Sequence, residues 1–67
     1  MSIYDWSNVP KEVKWIATDE DGEVWGYSDE PKLGCFSYFY KENGLNIFVG
    51  YNASGNDWKK SLEERPK

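Results

Sequence analysis

The chain has 67 residues, enough for one small domain spanning 1–67 and too few for a second. It carries a net charge of −4, no histidine and one cysteine, so it lacks a basic stripe for nucleic acid, the usual near-neutral proton shuttle and any intrachain disulfide. These features predict a non-enzymatic protein of a reducing cytoplasm, and no apolar run reaches the ~20 residues of a membrane helix.

Taken in chain order, Tyr4-Asp5-Trp6-Ser7 precedes Pro10, and Ser7 or Asn8 can start a short turn, with at most one helical turn over 10–13. Residues 14–18 (KWIAT) and 24–28 (VWGYS) read as strands joined at Asp21-Gly22. A two-residue turn there opposes Ile16 to Tyr27 and Thr18 to Trp25. It also sets Glu20 against Glu23, an unfavourable like-charge pair that a longer loop relieves. Gly26 inside the strand marks a bulge or close packing, and Pro31 ends it.

Residues 36–51 (FSYFYKENGLNIFVGY) read as a central hairpin about Asn43-Gly44. That register faces Tyr38 to Val49 and Phe39 to Phe48. It gathers Tyr38, Leu45, Ile47, Val49 and Tyr51 on a core face, with Phe39 and Phe48 on the opposite one. After a turn-rich loop at 51–56, residues 57–64 (DWKKSLEE) read as a short helix capped by Asn56 and stopped by Pro66, with Trp58 and Leu62 on one face. The expected fold is mainly β, a small α+β domain. It has a four-stranded antiparallel sheet of two hairpins and a short C-terminal helix, with Trp6 and Trp58 anchoring the ends.

Aromatics are 18% of the residues, which brings a short chain large buried areas. Homo-oligomerisation is the other route to stability and stays open. Residues 1–31 hold eight acids and two lysines, and residues 32–67 four acids and six bases. The acidic turn Asp19, Glu20, Asp21 and Glu23 therefore suits a basic partner surface or mimicry of nucleic acid. No EF-hand fits, since Gly22 at the sixth loop position puts Ala17 first and Ser28 twelfth, and no cofactor or metal is expected. Cys35 has no histidine to activate it. The partner-binding residues expected are Phe39 and Phe48, with Trp25 and Tyr27 extending the aromatic patch and Asp19, Glu20, Asp21 and Glu23 beside it.

Three stretches carry a resemblance. They are Tyr4-Asp5-Trp6-Ser7 with Pro10; Trp15-Ile16-Ala17-Thr18-Asp19 before Asp21-Gly22; and Trp58-Lys59-Lys60-Ser61-Leu62-Glu63-Glu64-Arg65-Pro66. Over about half its length the chain resembles short accessory proteins of tailed bacteriophages, which have an Asp-Trp-Ser start and a Trp–Ser-Leu–Arg-Pro end. The resemblance implies action by binding in the host bacterial cytoplasm, as an inhibitor of a host or anti-phage defence protein. Two alternatives are an oligomeric binder of a signalling nucleotide, with Lys41, Lys59 or Lys60 on its phosphate, and a structural or virion accessory protein.

Overall fold

The first hairpin takes its register from its loop. In a computed structural model, which describes residues 4–34, 38–39, 44–51 and 58–66 (Phe39 by its backbone alone), Asp19 N–H donates to Glu23 O at 2.8 Å and Gly22 N–H to Asp19 O at 2.9 Å. Gly22 has a φ of 88°, a left-handed conformation that a glycine adopts without a Cβ clash. A three-residue loop ending in such a residue closes a hairpin well. It joins β1 (Trp15–Thr18) to β2 (Glu23–Tyr27) with Ile16 opposite Gly26 and Thr18 opposite Val24. That is one residue off the pairing of a two-residue Asp21-Gly22 turn. A slip of one residue moves every side chain to the other face, so Ile16 and Tyr27 lie on opposite sides of the sheet, and Glu20 does not face Glu23.

The remaining strands are β3 (Lys32–Leu33), β4 (Tyr38–Phe39), β5 (Asn46–Tyr51) and β6 (Glu63–Glu64). An antiparallel four-stranded sheet runs β5-β2-β1-β6, and β3 and β4 form a separate pair. Among the described residues the expected central hairpin is therefore not the unit of pairing. Tyr38 lies opposite Leu33 and Phe39 opposite Lys32, while β5 crosses to pair with β2. The reason is burial. Tyr38 is needed over β1 and β2, where it is buried with Ala17 and Tyr27, and its phenol donates to Trp58 O or Lys59 O, both at 3.1 Å. Asn43 of the expected turn, with Phe36, Tyr40 and Lys41, lies outside the described residues, as do Cys35, Asn56 and Asp57.

The expected C-terminal helix is also replaced. Residues 58–60 form a single 3-10 turn, and Glu63 and Glu64 then pair with Ile16 and Trp15. Eight residues gain little from helix formation alone, whereas β1 offers an open edge. Ser61 joins that edge through its side chain, where its Oγ accepts from Thr18 N–H at 2.8 Å. Its own proton has two carbonyl acceptors within reach, Trp58 O at 2.6 Å and Thr18 O at 3.1 Å.

Each face of the sheet has its own core. On one side, Val13, Ile16 and Val24 are covered by Tyr4, Trp6 and Val9. On the other, Ala17, Tyr27 and Tyr38 are packed by Trp15, Trp25, Trp58 and Leu62. The two ends are tied together on the first side. Trp6 Nε1 donates to Glu63 Oε2 at 2.5 Å. The Arg65 guanidinium lies 5.0 Å from the Trp6 ring centroid and donates to Val13 O and Pro10 O. Trp6 and Trp58 thus anchor the termini on opposite faces.

Gly26 marks the tightest approach in the first core. A Cβ there would sit 2.8 Å from Val13 Cγ1, and Val13 is fully buried. Gly26→Ala is expected to cost about 1–2 kcal/mol by overpacking, read as a lower urea midpoint at unchanged slope.

Candidate partner-binding surface

A bulge in β5 assembles the exposed aromatic residues. Trp25 pairs with Phe48 and Val24 with Gly50, which leaves Val49 without a partner between them. The extra residue reverses the alternation of side chains at that point. Phe48 and Tyr51, three apart, consequently lie on the same face as Trp25 and Glu23. Their rings meet edge-on, at 5.5 Å between Trp25 and Phe48 and 5.3 Å between Phe48 and Tyr51. Edge-to-face contact suits aromatic quadrupoles and holds the three side chains as one ridge. The ridge is open to solvent, with Phe48 47% and Tyr51 75% exposed and Trp25 half-buried at its base.

The acidic turn borders this ridge. Glu23 lies opposite Tyr51 across the ladder, and its Oε1 accepts from Trp25 Nε1 at 3.2 Å. Carboxylate oxygens of Asp19, Asp21 and Glu23 all lie within 4.8 Å of one another, and Glu20 is exposed beside them. The two aspartates also hold the backbone in place. Asp19 Oδ1 accepts from Tyr38 N–H at 3.0 Å and Asp21 Oδ1 from Glu23 N–H at 3.1 Å. These bonds explain the cluster as hairpin architecture, with its outer side left as a negative rim.

Asp19 bears the electrostatic cost of this arrangement. Burial, followed by the charges of Asp21 and Glu23, pushes its carboxyl up, against the Tyr38 N–H bond that favours the charged form. The folded state therefore holds the Asp19 proton more tightly than the unfolded chain does. This contribution stabilises the fold below the ordinary carboxyl value of 3.8 and is lost as pH rises through the folded value. Asp19→Asn keeps an oxygen for Tyr38 N–H and removes the charge. The variant is expected to be more heat-stable than the wild type at pH 7 and to lose that advantage below pH 3.8. Thermal melts at both pH values check this.

The residues singled out from the sequence thus divide. Trp25, Phe48, Asp19, Glu20, Asp21 and Glu23 come together at one end of the sheet. Tyr27 does not extend the ridge: it is 2% exposed, and burial pushes its phenol up. Phe39 sits in β4, in a different sheet from Phe48, and its side chain is outside the described residues. Tyr51 was expected in the core and belongs to the ridge instead. Only the bulge puts it there, and no residue pattern announced the bulge.

Among the described residues no helix is long and apolar enough to cross a membrane. No protein-family model, curated protein or solved structure matches this chain.

Proposed function

We propose that this protein is a non-enzymatic binding protein whose Trp25–Phe48–Tyr51 ridge and acidic rim engage a basic surface on another protein. The observation that carries this reading is the clustering of exposed large apolar side chains. Phe48 and Tyr51 lie on one face of β5, at the end that pairs with Glu23, one of three converging carboxylates. Solvent-facing aromatics in one rigid group are the usual anchors of an interface, and a rim of one charge selects partners of the other. The resemblance to phage accessory proteins suggests the partner's kind: a host or anti-phage defence protein that the binding inhibits, in the cytoplasm of an infected bacterium.

The nucleotide-binding alternative has less support. A cleft of about 430 Å³ is lined by Tyr38, Lys32 and Lys59, but Glu30 lines it too and offsets the charge a phosphate needs.

The test is native mass spectrometry of the tagged protein from infected cells, wild type against the double variant Phe48→Ser/Tyr51→Ser. A co-purifying protein lost in the variant supports the reading. Equal recovery from both, or a homo-oligomer carrying a small extra mass, contradicts it.

A further inference from the structure

The sheet has two edges, and they are treated differently. The β6 edge is two residues long, carries Glu63 and Glu64, and is followed by Arg65 and Pro66. Short length, charge and proline are the ordinary protections of an edge strand. The β5 edge is six residues long, NIFVGY, with no charge and no proline, and among the described residues it pairs with β2 alone.

The hydrogen-bonding phase shows which main-chain groups that edge presents. Asp19 N–H bonds Glu23 O and Ser28 N–H bonds Leu45 O. In an antiparallel ladder, residues alternate between bonding one neighbour and the other. Glu23, Trp25 and Tyr27 therefore bond toward β1, and Gly26 and Ser28 toward β5. It follows that Leu45 and Ile47 bond inward to β2, while the N–H and C=O of Asn46 and Phe48 point outward. The Val49 bulge falls just after this pair, so it leaves their edge regular.

Resting on the binding reading above, we infer that β5 recruits its partner by strand addition: an extended segment bearing arginine pairs with the outward edge of Asn46 and Phe48. Its ridge-side residues lie over Phe48 and Tyr51, and its guanidinium meets the Asp21 and Glu23 carboxylates. Charge complementarity selects this occupant. Strands in a sheet are ~4.8 Å apart, so a residue added opposite Tyr51 lies one strand beyond it and two from Glu23. An arginine side chain and Glu23, reaching toward each other across Tyr51, span that gap. Arginine also stacks on aromatic faces and forks onto carboxylates, which lysine does less well.

The probe is a blocked heptapeptide of alternating arginine and valine, titrated into isotope-labelled protein and followed by amide NMR. A control peptide carries N-methyl groups on the residues that would face β5. The two peptides share charge and side chains and differ in the ability to pair. Strand addition requires shifts at the Asn46 and Phe48 amides, with at least ~10-fold weaker binding of the methylated peptide, the loss expected from removing a few main-chain bonds. Asp21→Asn/Glu23→Gln is expected to weaken the unmodified peptide several-fold at low salt. Asn46→Pro, which removes an outward donor and no ladder bond, should weaken it as well. Equal binding of both peptides, or no binding, overturns strand addition. Protection of the same two amides that grows with protein concentration alone assigns the edge to a second copy and overturns it too. These failures leave the ridge to its own test: should the Phe48→Ser/Tyr51→Ser variant still lose its partner, binding stands and only its mode falls.

Discussion

Phe48→Ser combined with Tyr51→Ser is expected to weaken the complex with the partner by about 10²–10³-fold while leaving the domain folded. Aromatic hot spots cost about 2 kcal/mol or more each when truncated. The two rings touch at 5.3 Å, so their losses are not independent and the pair falls short of a full sum. Stability responds far less, because both side chains already face water. The main folded-state contact removed is the Trp25–Phe48 edge contact, worth about 0.5–1.5 kcal/mol. Calorimetric titration with the captured partner reads the first effect and near-ultraviolet circular dichroism the second. Leu33→Ser is the control, since Leu33 is also open to solvent but lies in β3, in the other sheet. A double variant that binds as well as the wild type, or a Leu33 variant that binds as poorly, would exclude the ridge as the interface.

Ser61→Ala is expected to destabilise the domain by about 2–4 kcal/mol. The substitution orphans the Thr18 N–H, whose residue is 1% exposed; a buried unpaired donor costs about 1–3 kcal/mol. It also deletes the hydroxyl's own bond to Trp58 O or Thr18 O, worth about 1 kcal/mol more. A domain of this length has only about 3–10 kcal/mol in total, so much of the population would unfold on warming. Chemical denaturation checks the magnitude. Ser61→Thr, which keeps the hydroxyl, should recover most of it. A loss under about 1 kcal/mol would mean that water replaces Ser61 at the strand edge.

The first hairpin was legible in the residues because alternation and Asp21-Gly22 both act locally. Its register was not, because choosing between a two- and a three-residue loop turns on one residue's backbone, that of Gly22. The fate of residues 58–64 was less legible still. Trp58 and Leu62 share a side, as helical spacing predicts, yet Trp58 reaches it from a 3-10 turn and Leu62 from the link between that turn and β6. A periodicity of four cannot tell those routes apart when the deciding partner, Thr18, is 43 residues away. The central hairpin failed for a related reason. Its sequence suits self-pairing, but Tyr38 gains more by covering Ala17 and Tyr27, and β5 gains more beside β2.

The candidate surface was half legible. Phe48 stands out as an aromatic on a polar face, and the acids of the turn are plain in the sequence. Their adjacency depends on the β2–β5 pairing and on the Val49 bulge, neither of which leaves a mark in residue spacing. The stretches that carry the phage resemblance prove to be framework: Asp5 caps the Trp6–Asn8 turn, Asp19 and Gly22 set the hairpin, and Ser61 and Arg65 fasten the end of the chain to β1 and the N-terminal segment. The proposed ridge of Trp25, Phe48 and Tyr51 lies outside them.

The most direct measurement is photocrosslinking in infected cells with benzoylphenylalanine placed at position 48, and separately at position 33 as a control. One covalent adduct, to a single partner protein, is expected from position 48 and none from position 33. Equal labelling from both positions, or crosslinks from position 48 only to further copies of the chain itself, would contradict a partner-binding ridge.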